Sequence, residues 1–252
     1  MNMGPREFLA ALALVVSLAM FSGTVQGQAG KGEKKMGQAR AVGNPDLIQS
    51  SGLKPAYPGD ARCPEIASLY GSRTRYDGSA RASWAFGGLH GGIDISLPED
   101  TPLLAVAAGT VLAKGEGGML EGIFLWLKHA PEDTGLSYWV FSKYQHLVAP
   151  SELEVGARVG AGQVVARSGK TGTVGKYYGM SGYSHLHLTT RKGASGDEAV
   201  RDAVLFDPLA IYHEARKDGG PADAVPISYA MPDGKISPAG SRVVWPVACQ
   251  AK

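Results

Sequence analysis

The chain has 252 residues, a formal net charge of +2 at neutral pH, and 19% charged residues. A balance this mild, without a clustered basic stripe, argues against a nucleic-acid partner. The length leaves room for one sizeable core domain. The 35 glycines and 15 prolines, with no long helical periodicity, predict an all-β fold of short strands joined by tight turns.

The first 27 residues have the pattern of a secretory signal peptide. Arg6 precedes an apolar run from Phe8 to Phe21, and small and polar residues follow up to Gly27. This order predicts export, with cleavage after Gly27 and no stable membrane span afterwards. An uncleaved anchor is the alternative, although the run is short for a full span. The remaining chain is therefore expected in the periplasm, outside the cell or in the cell wall.

Residues 28–60 are polar and rich in glycine and lysine, and we interpret them as a linker or short pro-segment. Residues 61–215 form the predicted main domain, and residues 216–252 a loop-rich C-terminal tail. The two cysteines, Cys63 and Cys249, flank that domain. In an exported protein they predict a disulfide that ties the tail back to the start of the domain. Two free, buried thiols are the alternative.

Two short motifs carry the residue types of a metal site. His90 and Asp94 are four positions apart, and the glycine pair between them argues against a helix. His185 and His187 are two positions apart in a strand-like run, so both imidazoles lie on one face of a sheet. Imidazole and carboxylate ligands suit Zn²⁺, and three protein ligands leave a fourth position open for water.

Several segments between Tyr70 and Leu209 follow one another in an order typical of a known family. They are Tyr70-Gly71-Ser72-Arg73, His90-Gly91-Gly92-Ile93-Asp94-Ile95, Asp100-Thr101-Pro102, Tyr144-Gln145-His146-Leu147, Gly162-Gln163, Gly169-Lys170-Thr171-Gly172 and His185-Leu186-His187. The set resembles the lysostaphin-type (LytM-like) zinc peptidoglycan endopeptidases of peptidase family M23. This resemblance implies a compact antiparallel β-sheet, sandwich-like core whose long loops form a groove.

The same resemblance assigns roles to five residues. His90, Asp94 and His187 would bind zinc, and His146 and His185 would be two unligated catalytic histidines. One of these two would take a proton from water, and the other would donate to the tetrahedral intermediate or the leaving amine, because histidine titrates near neutral pH. The substrate would be a peptide cross-link of peptidoglycan.

Members of this family cleave either D-Ala to diaminopimelate cross-links or glycine bridges. We favour the D-Ala bond because no separate wall-targeting domain follows the catalytic one. A non-catalytic peptidoglycan-binding or amidase-activating module is the main alternative, although such relatives typically lack one or more of the five residues. A β protein that uses the histidines for metal storage or structure is a third hypothesis, but no fourth protein ligand is evident to close a structural zinc site.

The loop from Thr173 to Ser184 is longer than the short loop of the family and contains Tyr177, Tyr178 and Tyr183. We predict that these tyrosines line the groove and bind substrate. A tolerated surface insertion is the alternative, because a longer loop costs little closure entropy. The remaining histidines, His129 and His213, are predicted to be structural or solvated.

Overall fold

The computed structural model describes residues 48–174, 182–216 and 223–252. Most elements in these ranges are β-strands, and the two α-helices are only four and six residues long. The all-β prediction is therefore confirmed. The strands are β1 (Lys54–Ala56), β2 (Ala61–Arg62), β3 (Ile66–Ser68), β4 (Ile93–Ser96), β5 (Pro102–Leu104), β6 (Gly109–Glu116), β7 (Ile123–His129), β8 (Trp139–Gln145), β9 (Arg158–Val159), β10 (Val164–Arg167), β11 (His185–Gly193), β12 (Val204–Phe206), β13 (Ala224–Pro226), β14 (Tyr229–Ala230), β15 (Ile236–Ser237) and β16 (Gln250–Ala251), and the helices are α1 (Pro131–Thr134) and α2 (Leu209–Glu214).

An eight-stranded antiparallel sheet is the largest element of the fold. Its strand order is β3-β4-β11-β8-β7-β6-β9, and β12 also pairs with β11. Strand β11 is central, with β4 on one side and β8 on the other. This arrangement places His187 directly opposite Asp94 on β4 and Gln145 on β8. Residues distant in sequence thus share one row of the sheet.

The two faces of the sheet differ because side chains alternate along each strand. Leu186 and Leu188 of β11 are fully buried and pack into the hydrophobic core with Ile93 and Ile95 of β4. The histidines at positions 185 and 187 lie on the opposite face. The apolar residues of β4 and β11 therefore anchor both strands, and the polar residues between them are held in fixed register.

The C-terminal segment is packed into the core. Trp245 is fully buried, and its Nε1 donates a hydrogen bond to the Pro64 carbonyl at 3.0 Å. Cys249 forms a disulfide with Cys63, which confirms the predicted pairing. In the chain-entropy account, a disulfide across 186 positions stabilises the fold by about 5 kcal/mol.

Part of the predicted linker also packs on the domain. Ile48 is buried, and β1 pairs in parallel with β13 near the C-terminus. Residues 1–47, which include the predicted signal peptide, lie outside the described residues, so the predicted division of the chain stays a prediction. In the described ranges, no helix has the length and apolar character needed to cross a membrane.

His129 is a buried histidine far from the predicted metal site. It closes β7, its Nδ1 donates to the Ala108 carbonyl at 2.8 Å, and its Nε2 is 2.7 Å from Ser142 Oγ. Burial lowers the pKa of His129 from 6.5 to about 4, because the charged imidazolium is disfavoured away from water. Its role is structural, as the sequence predicts.

This shift in pKa predicts a loss of stability in acid. Between pH 6.5 and pH 4 the unfolded chain binds a proton at His129 that the folded chain excludes, so the free energy of unfolding falls as the pH falls. The shift to about 4 corresponds to about 3 kcal/mol across that window. Chemical denaturation of the wild type and of His129→Gln at several pH values measures it. Equal pH slopes for the two proteins would contradict the assignment.

Candidate active site

Three side chains meet on the polar face of the sheet. His90 Nε2 is 3.0 Å from Asp94 Oδ1, and His187 Nδ1 is 2.7 Å from the same oxygen. The two imidazole nitrogens are 3.0 Å apart, although the residues are 97 positions apart in sequence. The structure therefore brings together all three residues predicted as metal ligands, and these atoms form a compact triangle.

This triangle fits a tetrahedral zinc ion. With bonds of about 2.0–2.1 Å at tetrahedral angles, two ligand atoms lie about 3.3 Å apart. The observed separations of 2.7–3.0 Å need to widen by only a few tenths of an ångström. Two imidazoles and one carboxylate are also a donor set that zinc accepts.

Outer hydrogen bonds orient the two histidines of the triangle. His90 Nδ1 donates to the Leu69 carbonyl at 2.9 Å, which leaves the lone pair on Nε2. His187 Nε2 is 3.0 Å from Thr189 Oγ1, and a proton there leaves the lone pair on Nδ1. Such partners fix the tautomer and the ring orientation of histidine ligands.

The backbone between His90 and Asp94 lies close to β11. A Cβ atom at Gly92 would lie 2.2 Å from the Leu188 carbonyl oxygen and 3.0 Å from His187 Nε2. Only glycine therefore allows the chain between His90 and Asp94 to approach the central strand. This contact gives a physical reason for one of the two glycines in the motif.

His146 and His185 lie beside the triangle. Their ring centroids are 4.5 Å apart, and the His146 centroid is 5.9 Å from that of His187. His146 Nδ1 donates to the Thr171 carbonyl at 2.8 Å, and His185 Nδ1 donates to the Tyr183 carbonyl at 3.1 Å. Both rings therefore keep Nε2 available as a proton acceptor. Each is placed where it can move a proton next to the predicted metal.

Burial disfavours the charged form of His146, His185 and His187. Burial lowers the pKa of His146 well below its usual range, and the nearby His185 and His187 lower it further. Burial likewise lowers the pKa of His185 and of His187. For Asp94, burial raises the pKa, but the interaction with His90 and the hydrogen bonds from His187 and His90 outweigh it, and the pKa lies well below its usual range. Neutral imidazoles and an ionised carboxylate are the forms that bind metal.

Of the three tyrosines predicted to bind substrate, the structure places Tyr183. Its ring stacks on His185 with centroids 4.3 Å apart, and Tyr76 meets it edge-on at 4.5 Å. Tyr76 is partly exposed and lines a groove with Tyr183, Ser184 and Lys170. Tyr177 and Tyr178 lie outside the described residues, so their predicted role is untested.

Two contributors to the site were missed from the sequence. Arg81 Nη2 donates to Asp94 Oδ2 at 3.0 Å, and Thr171 supplies the carbonyl that holds His146. Thr171 is part of a motif that carried the resemblance, but its contact with His146 depends on how two loops pack. Arg81 lies in a stretch with no recognisable pattern, and no sequence signal identified it.

Comparison with known families agrees with this geometry. Residues 88–200 match the model of Peptidase family M23. This part of the chain is therefore similar to a peptidase family M23 domain. The match confirms the resemblance stated from the sequence motifs. The matched range contains all five residues of the site.

Several solved structures are similar to this chain. LytU is 26% identical with a TM-score of 0.44, and the match covers 61% of this chain and 87% of that one. The catalytic domain of lysostaphin, an antimicrobial peptidase from Staphylococcus simulans, is 24% identical with a TM-score of 0.38, covering 49% and 79%. A mutant catalytic domain of the prophage-encoded M23 protein EnpA from Enterococcus faecalis is 22% identical with a TM-score of 0.41, covering 62% and 95%.

Proposed function

We propose that this protein is a zinc endopeptidase that hydrolyses peptide cross-links of bacterial peptidoglycan. The observation that carries the proposal is the convergence of His90, Asp94 and His187, with His146 and His185 beside them, inside the range that matches peptidase family M23. A peptidoglycan-binding module would not need two neutral histidines next to a metal triangle. The complete set therefore supports catalysis over binding alone.

The chemistry divides between the metal and the protein. Zinc, when bound by the three ligands, supplies a Lewis acid that polarises a carbonyl and lowers the pKa of water. His146 and His185 handle the protons, because both present an unprotonated Nε2. One of them takes the proton from the attacking water at Nε2. The imidazolium formed in this way can return that proton to the leaving amine, and the second histidine can stabilise the developing charge.

We propose the D-Ala to diaminopimelate bond as the one that is cut. The diaminopimelate residue carries a carboxylate next to this amide, whereas a glycine bridge carries none. The choice extends the expectation from the sequence. Arg81 pairs with Asp94 and Lys143 pairs with Glu121, so both positive charges are already compensated, and digestion of the two kinds of wall decides which bond is cut.

Digestion of two kinds of purified peptidoglycan tests both parts of the proposal. One wall is cross-linked through diaminopimelate and the other through glycine bridges, and mass spectrometry identifies the released fragments. We expect loss of cross-linked dimers from the first wall only. Cleavage of the glycine-bridged wall alone would overturn the choice of bond. Cleavage of neither wall by a folded, zinc-loaded protein would favour a non-catalytic wall-binding module.

We also propose that the protein acts outside the cytoplasm, where its substrate lies. The support is the signal-peptide pattern of residues 1–27. Expression of the full chain in a bacterial host, followed by N-terminal sequencing of the exported protein, should give a chain that begins at Gln28. A cytoplasmic protein that retains Met1 would contradict the proposal.

A further inference from the structure

Arg81 reaches the predicted metal site from a loop. The stretch between β3 and β4 folds back through a turn, in which Arg75 N donates to the Ser79 carbonyl and residues 74 and 80 form an isolated bridge. Arg81 directly follows this turn. Its side chain is 14% exposed, and it extends toward the polar face of the sheet. The turn therefore delivers a guanidinium to the edge of the metal triangle.

One nitrogen of Arg81 donates hydrogen bonds to two acceptors. Nη2 donates to Asp94 Oδ2 at 3.0 Å and to Ser68 Oγ at 2.8 Å. Ser68 lies opposite Asp94 in the pairing of β3 with β4, and its hydroxyl donates to the Thr74 carbonyl at 3.2 Å. The guanidinium is thus fixed against both strands and against its own loop.

The two oxygens of Asp94 are divided between partners. Oδ2 accepts from Arg81, whereas Oδ1 faces His90 Nε2 and His187 Nδ1. Asp94 is 2% exposed, so little water is available to hold the carboxylate. Arg81 Nε is buried with no hydrogen-bond partner among the described residues, which costs free energy. Arg81 therefore keeps its contact with Asp94 although the unpaired Nε lowers the stability of the fold.

We propose that Arg81 is a positioning residue for the metal site, which it serves by keeping Oδ1 of Asp94 turned toward the two histidines. The inference rests on the proposed function, because it requires that the triangle binds zinc. Two physical effects oppose each other here. A guanidinium repels a nearby divalent cation, so removal of the charge alone would tighten metal binding. Loss of orientation weakens it, as is typical when an outer hydrogen-bond partner of a ligand is removed.

The test measures metal affinity of the full chain instead of catalysis. Zinc dissociation constants are obtained by competition with a chromophoric chelator for the wild type, Arg81→Met and Arg81→Lys. Arg75→Met is the matched control, since Arg75 belongs to the same turn but donates to Ser79 and Ala80 and not to Asp94. Visible absorption spectra of the cobalt-loaded proteins report the coordination geometry independently.

We expect Arg81→Met to weaken zinc binding by about 10- to 100-fold and to alter the cobalt spectrum. Arg81→Lys should fall between this variant and the wild type, because an ammonium keeps the charge and can donate hydrogen bonds, but the flexible lysine side chain holds them in a less fixed position. Arg75→Met should bind like the wild type. If Arg81→Met does not fold, Arg81→Lys provides the test. Weaker zinc binding by Arg81→Lys than by the wild type would then support the proposal.

Three outcomes would overturn the proposal. Zinc binding by Arg81→Met that is as tight as in the wild type, or tighter, would show that orientation of Asp94 by Arg81 does not support metal binding. Equal weakening in Arg81→Met and Arg75→Met would indicate a general effect on the loop. Wild-type affinity in a folded Arg81→Lys, with Arg81→Met unfolded, would leave the arginine a purely structural role. A wild-type chain that binds neither zinc nor cobalt would instead remove the proposed function itself, and this inference with it.

Discussion

Replacement of His187 by alanine should abolish zinc binding and peptidoglycan hydrolysis together. His187 Nδ1 lies 2.7 Å from Asp94 Oδ1 and 3.0 Å from His90 Nε2, so its loss removes one corner of the triangle. Two protein ligands remain, and we expect zinc affinity to fall by more than about 100-fold. This loss exceeds the one typical when only a hydrogen-bond partner of a metal ligand is removed. Metal content after gel filtration, together with competition titration, measures this.

A matched control separates this effect from a general loss of histidine. His213 lies on α2, outside the triangle and its neighbours. His213→Ala should therefore keep one equivalent of zinc and full hydrolysis. If His187→Ala also retained one equivalent of tightly bound zinc, the ligand assignment would be wrong.

Replacement of His146 by asparagine should separate catalysis from metal binding. His146 has a positive φ of 63°, a backbone conformation that asparagine tolerates better than most residues. The variant can therefore keep the local fold while losing the imidazole. We expect zinc affinity close to that of the wild type and a turnover lower by about 100- to 10,000-fold, the usual contribution of a general acid or base. Steady-state hydrolysis of a purified cross-linked muropeptide dimer provides the measurement.

Two results would argue against this role of His146. Turnover within about tenfold of the wild type would place the proton transfer elsewhere. Loss of zinc comparable to that of His187→Ala would make His146 a ligand. The first result would leave His185 as the candidate, because its Nε2 lies 3.7 Å from Asp94 Oδ1.

The sequence was most informative where a local rule decides side-chain direction. Alternation along a strand predicted that His185 and His187 share one face, and the register of β11 with β4 places Asp94 opposite His187. The sequence could not indicate which ring nitrogen faces the triangle. That choice depends on Leu69 and Thr189, whose contacts exist only after the strands have paired.

Other features depend on long-range packing and gave no local signal. Strands of two or three residues, such as β14 and β15, are too short to show periodicity, and the C-terminal segment was therefore predicted as loop-rich. Trp245 is nevertheless one of the largest fully buried side chains. Arg81 was missed for the same reason, since only the fold brings it to Asp94.

Removal and restoration of the metal test the central claim most directly. The full chain is stripped of metal with a chelator and then titrated with zinc in the presence of purified cross-linked peptidoglycan. We expect release of cross-linked fragments to be lost on stripping and to return at one equivalent of zinc in the wild type but not in His187→Ala. Undiminished release by the stripped protein, or its return in His187→Ala, would contradict a hydrolase built on His90, Asp94 and His187.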